Sequence, residues 1–231
     1  MLRLEAACKT YSRHGKAVEA LRPTSLDIGA GEYVAVVGPS GSGKSTFLTV
    51  VGGMLAPTTG RVLLEGRSLY DLTASQRAAV RGRRIGFVFQ TFNLVPYLTA
   101  LENVQVPLYL AGIAPKEQRR RATAALERVG LADRVGHKPS ELSVGQQQRV
   151  ALARTLVGDP ALILADEPTG NLDPATREQV LGLLDEFNRE GRTVVVVTHD
   201  PAVAARSRRR LRLEGGCVSE GPAAPNELAV A

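Results

Sequence analysis

Apolar residues along the chain fall into two kinds of pattern. Tyr33-Val-Ala-Val-Val37, Ala161-Leu-Ile-Leu-Ala165 and Val194-Val-Val-Val197 are unbroken runs without alternation. Such runs predict strands covered on both faces. Leu2–Tyr11 and Thr24–Ile28 predict strands of a small antiparallel layer, and Arg61–Glu65, Arg84–Phe89 and Thr193–Thr198 add further strands. Leu211–Ser219 predicts a hairpin turning at Gly215-Gly216. Between Thr91 and Gly158 the spacing becomes helical, and Pro115–Val129 carries one charged face and one Ala/Leu face. Strands alternate with helices, which makes the chain α/β. The expected arrangement is a mostly parallel sheet with helices on both faces, a small antiparallel β layer and an inserted helical lobe. The expected domain is 1–219, with its core at 1–90 and 159–219 and the lobe at 91–158. The stretch Glu220–Ala231 has two prolines and no periodicity, and predicts a flexible tail.

Composition narrows this picture. A chain of 231 residues suits one large domain or two intimate lobes. Aromatic residues make up only 4%, so the core must rest on Val, Leu, Ile and Ala. No apolar run reaches the ~18 residues of a membrane span. The opening Met1-Leu-Arg-Leu-Glu5 lacks the apolar core of a signal peptide, so a cytoplasmic chain is expected. Cys8 and Cys217 form no metal-type spacing, and free thiols are expected. His14, His137 and His199 are too few for a histidine-rich metal site. The net charge of +6 gathers at Arg81–Arg84, Arg119–Arg121 and Arg206–Arg212. These clusters fit either solvated helix faces or an anionic partner. No aromatic residues interleave with them, so base stacking has little support.

The chemistry concentrates after the strand Tyr33–Val37. Gly38-Pro39-Ser40-Gly41-Ser42-Gly43-Lys44-Ser45-Thr46 fits G-x-x-x-x-G-K-[ST]. The segment Ser45 to Val51 is predicted to be the start of a helix. In that strand–loop–helix context glycines let backbone N–H groups close around phosphate oxygens, and the helix N-terminus adds unpaired donors. Lys44 would reach the β- and γ-phosphates and the Ser45 hydroxyl would hold Mg²⁺. The glycine order does not match G-x-G-x-x-G, so a dinucleotide fold is not supported. The α/β core is therefore of the phosphate-loop NTPase class.

Four further features fall into place around that loop. Leu162-Ile-Leu-Ala-Asp166-Glu167-Pro168 is an apolar strand ending in two carboxylates. Asp166 can orient waters on Mg²⁺ and Glu167 can polarise an attacking water. In Leu142-Ser143-Val144-Gly145-Gln146, Ser143 and Gln146 form a capping box before a helix to Val157, which could be their whole role. Gln90 follows the strand Ile85–Phe89, where an amide could reach the metal. His199 follows an apolar strand, where it is either structural or catalytic.

Together these motifs resemble the nucleotide-binding subunit of an ATP-binding cassette (ABC) transporter over residues 2–219. The resemblance implies a Walker A loop at Gly38–Thr46, a glutamine loop at Gln90, a signature at Leu142–Gln146, Walker B at Leu162–Asp166 with Glu167 next, a D-loop at Asn171-Leu172-Asp173 and a switch histidine at His199. It implies that two copies pair head to tail, each ATP lying between one chain's Walker A and the other's signature, with Ser143 and the Gly145 amide as donors. Tyr11 stands where the family stacks an aromatic on adenine, although strand packing is the simpler role. Val144 departs from the L-S-G-G-Q signature. A positive φ there would penalise a β-branched residue.

Glu167-Pro-Thr-Gly-Asn-Leu-Asp173, Phe92-Asn-Leu-Val-Pro96 and Leu101-Glu-Asn-Val-Gln-Val-Pro107 resemble the lipoprotein-releasing, macrolide-exporting and cell-division-associated members. The implied partners are a second copy and an integral membrane permease. The implied location is the cytoplasmic face of the membrane, and no nucleic acid is expected. Sugar-importer cassettes usually carry an extra C-terminal domain, for which this chain is expected to be too short. The segment Gln90–Leu98 lies where the family's permease docks, although its apolar residues could instead pack the helical lobe. The alternative is a soluble cassette ATPase acting on nucleic acid or in iron–sulfur assembly. The span from Gln90 to Leu142 is too short for the long coiled coil of chromosome-type cassettes.

Overall fold

The computed structural model describes residues 1–13, 16–170 and 172–221. His14, Asn171 and most of the expected tail lie outside the described residues. The strands and helices are, in chain order, β1 (Leu2–Arg13), β2 (Lys16–Ile28), β3 (Tyr33–Val37), α1 (Lys44–Val51), β4 (Thr59–Leu64), β5 (Arg67–Ser68), α2 (Ala74–Arg84), β6 (Ile85–Phe89), α3 (Ala100–Leu110), α4 (Pro115–Arg128), α5 (Val144–Leu156), β7 (Leu162–Asp166), α6 (Pro174–Arg189), β8 (Thr193–Thr198), α7 (Pro201–Ala205), β9 (Arg209–Glu214) and β10 (Cys217–Glu220). They divide into two compact units, Met1–Arg77 with Asn188–Ala231, and Ala78–Phe187.

In the first unit β2, β1, β4 and β5 form an antiparallel sheet in that order. β3 runs parallel to both β8 and β9, and β9 turns back on β10. The valine run of β8 is buried at every position and β3 at all but its last, as unbroken apolar runs require. The β9–β10 turn places Gly215 and Gly216 at φ 53° and 78°, the two positive values that a tight two-residue hairpin demands. β2 extends well before Thr24, because pairing with β1 carries its exposed first half.

In the second unit β6 and β7 pair in parallel, Phe89 beside Asp166. Helices α3, α4 and α5 share a core that includes Leu101, Val104, Leu126, Leu142 and Val150. Thr99 caps α3 with a reciprocal Glu102 bond, a box the hydrophobic pattern does not announce. Arg84, expected to open a strand, instead closes α2, a helix with no buried residue and three arginines in its last turn. Their charge suits the negative end of the helix dipole. Arg120 and Arg121 bind Glu117, and Arg209 binds Glu32 and Glu220, so much of the basic charge is paired within the chain. Both cysteines are free thiols.

Candidate nucleotide site

In the first unit the phosphate loop runs from β3 into α1. Gly43 caps α1 at φ 106° and Gly41 stands at φ 76°, both in the left-handed region open to glycine. The loop is also hemmed in by the main chain. A Cβ on Gly38 would sit 2.1 Å from the Leu213 carbonyl oxygen, and one on Gly43 would sit 2.0 Å from that of Ala20. Lys44 is only 9% exposed, and its Nζ donates to the carbonyls of Gly38 and Pro39 at 2.8 and 3.0 Å. The buried Ser42 hydroxyl oxygen has no hydrogen-bond partner among the described residues. A buried polar atom normally finds one, and a phosphate oxygen fits this one. Ser45 is exposed at the start of α1, with Pro39, Ser40 and Gly41 exposed ahead of it. Tyr11 is 40% exposed on β1, with Lys9 Nζ 5.6 Å from its ring centroid. That exposure argues against plain core packing. His199 follows β8 and is exposed, and Asp200 beyond it caps α7.

In the second unit β6 and β7 end level with one another. Gln90 therefore leaves one strand where Asp166 and Glu167 leave the other. Glu167 adopts φ 45°, a left-handed conformation that a glutamate rarely takes. Strained backbone of this kind clusters at working sites. A turn follows it, closed by Gly170 N–H donating to the Glu167 carbonyl at 3.1 Å. A Cβ on Gly170 would lie 2.9 Å from Gln90 Nε2, so glycine lets the amide rest against the turn.

The signature residues open α5. Ser143 accepts from Gln146 N–H at 3.2 Å, and Gln146 Oε1 accepts from Ser143 N–H at 2.9 Å. The capping box expected from the sequence is therefore formed. Val144 occupies the first helical position, is 48% exposed, and is absent from the positive-φ residues. Valine costs nothing there through backbone strain. Gly145 does need to be glycine, since a Cβ would lie 2.4 Å from Thr176 Cγ2. Asp173 holds that threonine. Its carboxyl is pulled below the usual range, first by the Thr176 side chain and then by backbone N–H groups, including those of Thr176 and Ala175.

Sequence reading missed Asn103, Gln148 and Arg154. Asn103 is buried and bonds Val95 N–H and the carbonyls of Val95, Leu98 and Thr99. No periodicity marks a polar residue whose partners are main-chain atoms of a neighbouring loop.

A phosphate loop, a strand ending in paired carboxylates and a capped L-S-x-G-Q helix define a nucleotide-hydrolysing cassette. The ABC transporter family profile matches residues 21–170, and the chain belongs to that family as an ABC-type ATPase cassette. It is 52% identical to the lipoprotein-releasing system ATP-binding protein LolD of Myxococcus xanthus, covering 95% of this chain and 99% of that one. An uncharacterized ABC transporter ATP-binding protein of Thermotoga maritima is 54% identical over 83% of this chain and 82% of its own length. The macrolide export ATP-binding/permease protein MacB of Syntrophobacter fumaroxidans is 46% identical over 99% of this chain, which spans only 32% of the MacB length. Among solved structures, a dimeric ATP-binding cassette in a post-hydrolysis state with ADP and phosphate matches at TM-score 0.88 and 43% identity, covering 95% of this chain and 98% of that one.

Proposed function

We propose that this chain is the ATP-hydrolysing subunit of a transporter of the lipoprotein-releasing or macrolide-exporting type. It works as a head-to-tail dimer, at the cytoplasmic face of the membrane, on a separate integral membrane permease. The observation that carries the reading is the phosphate loop, where a buried lysine stands beside a buried serine hydroxyl that has no partner among the described residues. Residues Gly38 to Thr46 take the phosphates, with Lys44 neutralising charge. Tyr11 supports the adenine. Ser143, Gly145 and Gln146 face the nucleotide held by the second copy. Glu167 polarises the attacking water, and His199 assists at the γ-phosphate.

The donor set also fits Mg²⁺. The Ser45 hydroxyl, the Gln90 amide oxygen and Asp166 acting through water are hard oxygen ligands. Bound there, Mg²⁺ would offset phosphate charge. The relatives' names support the transport reading, LolD as a lipoprotein-releasing system protein and MacB as a joined ATP-binding and permease protein.

Glu167→Gln tests the assignment. ATP binding should persist while turnover falls by roughly 10²–10⁴-fold, the scale of a lost general base. Size-exclusion chromatography with ATP should then show a trapped dimer. Near-normal turnover would falsify the role of Glu167. Lys44→Ala should weaken ATP binding itself by calorimetry, since the lysine meets phosphate before any chemistry occurs.

A further inference from the structure

Helix α5 begins at the signature and reaches, by its side chains, the main chain of both loops that carry Gln90 and Glu167. Thr155 Oγ1 donates to the Phe87 carbonyl at 2.6 Å, on the strand leading into Gln90. The strand lies close because its Gly86 has no side chain, and a Cβ there would sit 2.5 Å from Thr155 Cγ2. Beyond Gln90, Arg154 donates through Nη2 to the Phe92 carbonyl at 2.7 Å and through Nη1 to the Asn93 carbonyl at 2.6 Å. On the other loop, Gln148 Nε2 donates to the Pro168 carbonyl at 2.6 Å, one residue after Glu167.

Three of the residues at or beside these anchor points have left-handed backbone. Phe92 stands at φ 50°, Asn93 at 49° and Glu167 at 45°. Non-glycine residues hold such angles only where their surroundings over-determine them. Bonds from α5 hold the Phe92 and Asn93 carbonyls directly and the Glu167 turn at Pro168, beside the turn's own bond from Gly170 N–H to the Glu167 carbonyl. Gln148 is 0% exposed, and among the described residues its Oε1 has no partner while its amide nitrogen donates to Pro168. It is therefore present as a donor to Pro168. Among the described residues the guanidinium of Arg154 has only carbonyl partners, and burial pushes its pKa down. A cation held at that cost against two adjacent carbonyls serves geometry rather than charge pairing.

We infer that Gln148 and Arg154 are positioning residues for ATP hydrolysis. Gln148 sets the Glu167 turn and Arg154 sets the loop after Gln90, and both tie these loops to the helix that presents Ser143 and Gly145. A change of stance at the signature end of α5 then reaches both loops without a contact to nucleotide. The inference rests on the proposed roles of Gln90 and Glu167.

The test compares Gln148→Met, Arg154→Met, Arg154→Lys and Glu167→Gln in the full chain, by steady-state ATPase kinetics, ATP calorimetry and thermal melting. Methionine matches glutamine in length and removes its amide, and in place of Arg154 it keeps the aliphatic stem and removes the guanidinium. We expect kcat to fall about ten- to a hundredfold in the two methionine variants, the usual cost of a small misplacement of catalytic groups. KM and ATP affinity should stay within about threefold, the signature of an interaction that matters in the transition state. Arg154→Lys, which keeps the cation and reaches one carbonyl, should recover part of the loss. A kcat within about twofold of the parent in the folded methionine variants overturns the inference, as does a raised KM with kcat retained. Should Arg154→Met not fold, Arg154→Lys decides, and parental kcat in it overturns the role of Arg154. Full turnover in Glu167→Gln would sink the catalytic reading itself. An inactive Glu167→Gln beside a fully active Gln148→Met would sink the positioning role alone.

Discussion

At the scale of single residues, the signature separates what backbone demands from what packing demands. Val144 departs from the family pattern yet sits in ordinary helical geometry with its side chain half in solvent. Gly145, one residue on, is crowded by Thr176. Val144→Gly should therefore leave the ATPase rate nearly unchanged, and a gain of about a hundredfold would mean that valine raises the barrier by about 2.7 kcal/mol. Gly145→Ala should lower the melting temperature, with a destabilisation of about 1–3 kcal/mol typical of overpacking. Thr176 is β-branched and cannot turn aside without giving up its bond to Asp173. An unchanged melting curve would show that the two helix starts separate easily. The residue types of the phosphate loop, of Asp166-Glu167 and of Ser143-x-x-Gln146 were legible in the sequence, because their chemistry dictates both type and spacing. The crowding of Gly38 by Leu213 and of Gly43 by Ala20 was not, since those partners are remote along the chain.

At the scale of elements, apolar pattern found what burial organises. β3, β7 and β8 are the buried valine- and leucine-rich runs, and α5 follows its cap. α2 escaped because none of its residues is buried, so it has no apolar stripe to read. α4 shows what a charged surface helix gains instead. Glu117 accepts from Arg120 and Arg121, and these bonds hold its carboxyl down at about 2. A depressed carboxylate stabilises the folded state above its ordinary value of 4.5, and the contribution fades as pH falls from there towards 2. NMR titration of the Glu117 side chain should show this low midpoint, moving upward in high salt because the group is at the surface. A midpoint near the ordinary value in low salt would mean that the arginine contacts are not kept in solution.

At the scale of the whole molecule, a cassette that divides its catalytic groups between two copies depends on whatever holds the copies together. A permease that binds two of them raises their effective concentration and orders their closure. The chain alone should hydrolyse ATP slowly and with a rate that rises with protein concentration, and faster when purified with its permease. The segment from Gln90 to Leu98 is the docking surface we propose for that permease. Leu94 packs into the helical core, whereas Tyr97 is 84% exposed and Val95 is 39% exposed. The loop that carries them is no slack tether, because the buried Asn103 pins it at Val95, Leu98 and Thr99. An apolar ring held out to solvent on a fixed loop is better suited to a partner than to a core. Tyr97→Asp and Leu98→Asp should abolish co-purification with an integral membrane protein while ATP binding stays intact by calorimetry. Recovery of no membrane protein by the unaltered chain, together with stimulation of its ATPase by DNA or RNA, would favour a soluble cassette acting on nucleic acid.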